Sequence, residues 1–411
     1  MNTRNKILYP GLIWICTLSL GNAQQRLPLD SVLARVSGNP ALLAFDSKIS
    51  AQNAYVAGAK NLDAPKISAG QYQVPYQVNP SGGSFMITAE QMFTNRAKLQ
   101  AKENYMQGLS KITTEDKNTM KNQLLTQAKQ AYYDRVVLEK KLVVLQSTKE
   151  LLEYMLKDAN IRLTYGKEKL NNIYKAKADL FQLDNSREQI TNDINQNNIR
   201  LNTLMNRDLN SAFSVDTSFN IKDYESEQTD TSTLSANRSD IKSINRNIEL
   251  QQLNAKVEYS KRKPDFGVQA GHMFGYGGMA NQYILMGSIT IPILSWTSKE
   301  YTANLKGIRY EVEELQRNKI DILNQARGQL ANIRTDMGSK KRQFNNFRVN
   351  IIPALQNSYK TALLAYEQNT GELQPVLDGI KELQQNKMEA LDRVQELLQL
   401  QVAYEKENEK Y

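Results

Sequence analysis

The sequence predicts a mainly α-helical chain with a small β part: duplicated long coiled-coil helices and four short strands. Three observations lead there. Two proline-poor stretches carry apolar residues at heptad spacing over far more residues than a globular helix uses. Each is preceded by a pair of short segments joined by a turn-rich connection. The whole order then recurs at an offset of roughly 200 positions, as a tandem duplication would give.

Residues 1–23 read as a secretory signal: a basic start at Arg4 and Lys6, an apolar stretch from Ile7 to Leu20, and the small-residue ending Gly21-Asn22-Ala23. The apolar stretch is too short to span a bilayer and is broken by Pro10-Gly11. Cys16, the chain's one cysteine, falls inside it, so an exported protein without disulfides is expected. Elsewhere no run of eighteen or more apolar residues occurs, which excludes a helical membrane protein.

The first repeat is expected over 24–210. A helix over 29–60, with Asp30 as its cap, leads to a β-hairpin over 65–93. In its second strand Phe85, Ile87, Ala89 and Phe93 take one face, and Met86, Thr88, Glu90 and Met92 the other. A long helix over 94–164 follows, its apolar stripe running Leu138, Leu142, Leu145, Leu152, Leu156, Ala159, Leu163, with Lys149 the one polar position. At ~1.5 Å per residue it makes a rod of about 105 Å, and its heptads require a partner helix. The chain reverses at Gly166, and a return helix covers 167–207. Residues 208–235, rich in Asp, Ser, Thr and Asn, form a linker.

The second repeat is expected over 236–411: a helix over 236–262, a hairpin over 264–293, a long helix over 297–368 and a return helix over 370–409. Phe274 to Asn281 reads as its hairpin turn, and Pro353 should kink the long helix. The two reversals correspond: Leu163-Thr-Tyr-Gly166-Lys-Glu-Lys-Leu170 against Tyr366-Glu-Gln-Asn369-Thr-Gly-Glu-Leu373. Gly166 and Asn369 are of the two residue types that best tolerate a left-handed turn.

Physical argument carries this further. In the second hairpin Tyr283, Leu285, Ile289 and Ile291 would face lipid and Gln282, Ser288 and Thr290 a wet interior. Four strands cannot close on themselves, so their edges must pair with other copies, and three copies would give a twelve-stranded barrel. A soluble β-layer packed on helices is the competing reading, but no amphipathic helix of ordinary length is available to cover the sheet.

The composition removes other classes. With one histidine, no Gly-rich phosphate loop and no metal-ligand spacing, the chain is not expected to be an enzyme or to hold a cofactor or metal. The formal net charge of +9 is spread along helix faces rather than interleaved with aromatics, so nucleic-acid binding is not expected. Met86, Met92, Met273, Met279 and Met286 with His272 lie in or near the strands. Thioethers are soft ligands, but as single residues these read as packing.

The duplicated helix–hairpin–long helix–return helix order and the paired reversals resemble the TolC family of outer-membrane efflux channels. The resemblance covers about residues 27–406. The segments Ser288-Ile-Thr-Ile-Pro-Ile-Leu-Ser-Trp296-Thr-Ser-Lys299 and Tyr366 to Leu373 with Val376-Leu377-Asp378 are similar to its heavy-metal branch. It implies a homotrimer with a twelve-stranded outer-membrane β-barrel and an α-barrel through the periplasm. The partners it implies are a periplasmic adaptor, an inner-membrane RND-type transporter and outer-membrane lipid, with drugs, metal ions or proteins as cargo. The reversals would form the periplasmic tip and adaptor contact: Leu163, Tyr165, Gly166 and Leu170, with Tyr366, Asn369, Gly371 and Leu373. Asp378 falls where the family places a pore-facing acid and is the gate candidate; it reads equally as a solvated helix residue. The family's second acidic position is Pro375 here. Phe93 and Trp296 suit the membrane interface, or simple turn packing. The competing function is a periplasmic coiled-coil scaffold without a pore.

Overall fold

The computed structural model describes residues 26–76, 82–227 and 230–409; the expected signal segment lies outside them. In chain order the first part holds β1 (Arg26–Leu27), α1 (Leu29–Val36), α2 (Pro40–Ala57), β2 (Lys66–Tyr72), β3 (Ser84–Phe93), α3 (Arg96–Thr164) and α4 (Leu170–Leu204). Then come β4 (Ser214–Val215), α5 (Thr231–Asn237), α6 (Ser239–Ser260), β5 (Asp265–Gly275) and β6 (Gln282–Thr290). The last part is α7 (Ser295–Asn346), a π-helical turn (Phe347–Ile351), α8 (Ile352–Glu367) and α9 (Leu373–Asn408). No helix among the described residues is long and apolar enough to cross a membrane.

The single helix expected over 29–60 is two. Pro40 has no N–H to continue a helix and instead starts one, with Asn39 as its cap accepting from the Ala41 N–H at 2.9 Å. The Asn39 amide also donates to the Leu204 carbonyl at 2.9 Å, which ties the break to the end of α4. Asp30 is not a cap: Pro28 holds that position, and Asp30 lies in the first turn, where its charge favours the helix dipole.

The sheet is antiparallel throughout, in the order β2-β3-β5-β6. Each repeat gives one hairpin, and the hairpins join along β3 and β5 from Ser84↔Gly275 to Phe93↔Phe266. β5 runs on to Gly275, past the point where the glycines suggested a turn, because β3 supplies pairing partners as far as Ser84. One face exposes Phe85, Ile87, Phe266, Val268, Phe274, Tyr283, Leu285 and Ile289. The other carries Thr88, Glu90, Gln269 and Ser288 with Gly267 and Gly271. A Cβ on Gly271 would meet Thr88 Cγ2 at 2.7 Å, so this second face, termed inner and the apolar one outer, is close-packed around that glycine.

The helices leave the sheet together. Asn95 caps α3, accepting from the Ala97 N–H at 3.0 Å. Its own backbone N–H donates to Asp265 at 2.8 Å, and Lys98 pairs with the same carboxylate at 2.5 Å, so the start of the long helix in one repeat is fastened to the start of β5 in the other. α3 has 69 residues, about 100 Å at ~1.5 Å per residue. Its Leu138, Leu145, Leu152, Met155 and Ala159 bury against Ile173, Ala176, Leu183, Ile190 and Ile194 of α4. Lys149, the polar position in the stripe, reaches Asp184 at 2.8 Å. Leu373, Val376, Leu377 and Ile380 of α9 enter the same core, so the two coiled coils close on each other at this end. In the second long helix the interruption expected at Pro353 is a π-helical turn just before it, which absorbs the hydrogen bond a proline cannot make.

The linker over 208–235 is more ordered than its composition suggests. β4 pairs parallel with β1, and the Tyr132 hydroxyl bridges the two, donating to Leu27 O at 3.1 Å and accepting from the Asp216 N–H at 3.0 Å. Phe213 and Val215 bury against α1 and α3. Further along, Lys222 and Tyr224 reach Glu405 of α9 at 3.0 Å each, and Lys129 of α3 reaches it at 2.7 Å. Tyr224 stacks on Tyr404 at 4.4 Å.

Burial alone would raise the Glu405 carboxyl, but Lys129, Lys222 and the Tyr224 hydroxyl overcome it and hold the pKa below the ordinary range. The stabilisation is therefore complete above the unfolded carboxylate pKa of ~4.3 and is lost as pH falls through the lower folded value. Glu405→Ala removes the carboxylate that Lys129, whose side chain is 8% exposed, reaches at 2.7 Å, and is expected to cost about 3 kcal/mol. Denaturant melts at neutral pH should read that loss, and the gap from the unsubstituted protein should narrow as the pH is taken below 4.

Candidate functional site

The two reversals are built alike. After α3, Gly166 adopts φ +68, and the Lys167 N–H returns to Arg162 O at 2.9 Å. After α8, Asn369 adopts φ +55, and the Thr370 N–H returns to Ala365 O at 2.9 Å. Both close the last helical turn with a left-handed residue and a six-to-one hydrogen bond.

Arg162 holds them side by side. Its Nε donates to Asp158 at 2.7 Å, which fixes the guanidinium one turn from the end of α3. Its Nη1 donates to Tyr366 O at 3.0 Å and to Asn369 Oδ1 at 2.8 Å, and its carbon sits 4.3 Å from the Tyr366 ring centroid. Lys169 and Glu372 pair at 3.1 Å on the surface, where such a bridge is worth little. Between the reversals lies a cavity of about 400 Å³ lined by Arg162, Gly166, Glu168, Asn172, Tyr366 and Gly371. Tyr366 is 3% exposed, with its hydroxyl buried. Burial, with the Glu168 and Asp158 charges beside it, pushes its pKa up, so the phenol stays neutral.

The expected tip residues divide accordingly. Tyr165 and Leu170 are exposed, as are the backbones at Gly166, Asn369 and Gly371. Leu163 packs partly against the core, and Tyr366 and Leu373 are inside it. A substitution at Leu373 therefore acts first on folding, not on a surface contact. Asp378 is exposed on the side of α9 away from Val376, Leu377 and Ile380, and its Oδ1 accepts from Gln374 at 2.7 Å. Arg162 escaped the sequence reading; the one signal for it was an Asp158–Arg162 spacing of four, which any helix surface offers.

At the far end, Phe93 stands opposite Phe266 and is exposed, and Trp296 is exposed in the first turn of α7 beside Ile293. At the other end of the strands are Phe85, Phe274 and Tyr283. Phe85 and Phe93 are about 26 Å apart along β3. His272 is on this outer face, edge-on to Phe274 at 4.5 Å. Among the described residues no group of three or more His, Cys, Asp or Glu is placed to hold a metal.

Gly166→Ala tests the left-handed turn in isolation, because an added Cβ meets nothing within 4 Å. A loss of about 1 kcal/mol in thermal or denaturant melts is expected from backbone strain alone.

No protein-family model matches the sequence, and no curated protein is significantly similar to it. Solved structures are. The outer-membrane channel OprN superposes with a TM-score of 0.73 at 16% identity, covering 92% of this chain and 89% of its own. The Campylobacter jejuni CmeC outer-membrane channel gives 0.72 at 15% identity over 92% and 85%. The open state of the Neisseria gonorrhoeae MtrE outer-membrane channel gives 0.71 at 13% identity over 92% and 88%. At these identities the likeness is one of fold, and the fold is the one the TolC-family resemblance implied.

Proposed function

We propose that the chain is the outer-membrane exit duct of a tripartite efflux pump, conducting passively while energy is supplied elsewhere. The observation that carries this is the joining, in one chain, of a sheet with an apolar outer face and coiled coils about 100 Å long. A periplasmic scaffold has no use for such a face, and exposed apolar area of that extent marks a lipid or protein contact. The outer-membrane channels that share the fold support the same reading.

In this reading the unpaired edges of β2 and β6 pair with neighbouring copies, three chains completing a twelve-stranded barrel. Phe93 and Trp296 sit at the periplasmic interface of the membrane. The reversals form the far tip, where Tyr165, Leu170, Gly166, Asn369 and Gly371 meet a periplasmic adaptor that couples the duct to an inner-membrane RND-type transporter. Asp378 becomes a ring of three that attracts cations at a constriction, and Arg162 holds the closed state by binding one reversal to the other.

Membrane fractionation and detergent electrophoresis should place a resistant trimer in the outer membrane; a monomer in the soluble periplasm would remove the proposal. In single-channel recordings Asp378→Asn should weaken cation preference; unchanged selectivity would remove Asp378 from the pore.

Arg162→Ala should raise conductance of the closed channel several-fold while trimer yield holds. A channel as tightly closed as the parent would show that the reversals are held by other contacts.

A further inference from the structure

The inner face of the sheet carries something the duct does not need. All four methionines within its strands, Met86, Met92, Met273 and Met286, are on that face, while the large apolar residues of the outer face of β3, β5 and β6 are Phe, Ile, Leu, Val and Tyr. Methionine used as apolar filler would suit the outer face at least as well.

Three methionines lie close together in the sheet at the hairpin-turn end. The register sets Met86 directly opposite Met273 across β3 and β5, a pairing that brings Cβ atoms to about 5 Å. One inward step further along β5, about 6.6 Å, is Gly275. The turn after it, with Gly277 and Gly278 at φ +62 and +87, folds Met279 back over this glycine. A Cβ built on Gly275 would lie 2.8 Å from Met279 Cβ and 2.5 Å from Met279 O. The Met279 carbonyl and Cβ therefore occupy the space where residue 275 would have had a side chain, on the face that carries Met273 and Met86, and the half-exposed Met279 side chain starts from there. The Gly275 N–H donates to Asn281 Oδ1 at 3.3 Å, which holds the turn in place.

The remaining surroundings are neutral. Met86 faces Gly70, Gly275 faces Ser84, and Met273 faces Gln282. The inward acid of β3, Glu90, is four residues from Met86, about 13 Å along the strand, and His272 is on the opposite face. Hard divalent cations want carboxylates, which are missing here; soft thioethers select Cu(I) and its heavier congener Ag(I).

We propose that Met86, Met273 and Met279 form a thioether site for a soft monovalent cation, Cu(I) or Ag(I), on the inner face of the sheet at its turn end. One chain's own sheet supplies all three ligands, so the site does not rest on the duct reading.

The test uses the purified full chain in detergent, with Ag(I) and Cu(I) as probes, Cu(I) held by a chromophoric chelator in competition. The parent is expected to withdraw one Cu(I) per chain, and Ag(I) to shift the ε-methyl NMR signals of Met86, Met273 and Met279 but not those of Met92 and Met286. Met86→Leu/Met273→Leu, close in volume, should weaken binding at least tenfold, and Gly275→Ala, which displaces Met279, should weaken it with all three thioethers retained. Met92→Leu/Met286→Leu should bind like the parent. Equal binding by the parent and the Met86/Met273 variant would overturn the site, as would an equal loss in the Met92/Met286 variant. Circular dichroism separates a folding failure from a lost ligand, and the NMR shifts in the unsubstituted protein decide the question without any variant.

Discussion

In the duct reading, an open sheet with one apolar face and two unpaired edges has to be closed before that face can meet lipid, and much of this molecule is arranged around that constraint. Along the outward sides of β2 and β6 no strand among the described residues pairs with the backbone N–H and C=O groups. In hydrocarbon each such group left unpaired costs several kcal/mol, so closure is compulsory wherever the outer face meets lipid. The duplication meets half of the demand: each repeat contributes one central and one edge strand, and the β3–β5 seam joins the repeats into one surface. The Asp265 clasp on Asn95 and Lys98 then fixes where the first long helix departs from that surface.

The other end of the molecule is under no such obligation. There the stripe of α3 that had asked for a partner finds α4, and α9 seals both, so a continuous core runs to the reversals within a single chain. Between the two ends, the belt made by β1, β4 and the Glu405 cluster fastens α3, α9 and the linker to one another. A buried ion pair of this kind contributes less to net stability than apolar packing would, but it tolerates only one register of the helices it joins. Slippage of α9 by one turn against α3 would separate the Lys129 ammonium from the Glu405 carboxylate that it reaches at 2.7 Å.

What could be read from the sequence was what repeats. Heptads gave the long helices, alternation gave the outer face of β3, and a shared left-handed position gave both reversals, because each of these leaves a local period or a residue type with few conformations. What could not be read was what happens once and at long range. The parallel pairing of β1 with β4, the burial of Phe213, and the triple grip on Glu405 join segments far apart in a region whose composition looks like plain linker. The extension of β5 to Gly275 is of the same kind: its glycines speak locally for a turn, and only the partner strand overrides them. Pro40 differs, since Gly38, Asn39 and Pro40 carried a legible break that the helical composition around them concealed.

The reversals show how far the two halves have diverged from symmetry. Lys169 and Glu372 occupy equivalent positions in the repeats and face one another as opposite charges. Identical repeats would have placed like charges there. The position equivalent to Arg162 is Ala365, so the grip runs one way, from the first repeat onto the second. That explains why the second reversal uses Asn369 where the first uses Gly166. Glycine would serve the left-handed backbone at lower strain, but it has no side-chain oxygen, and Asn369 Oδ1 is the acceptor that Arg162 Nη1 finds at 2.8 Å. The strain of an asparagine at φ +55 is accepted in exchange for a charge-assisted hydrogen bond between the halves. The first reversal, which receives no such bond, keeps the glycine.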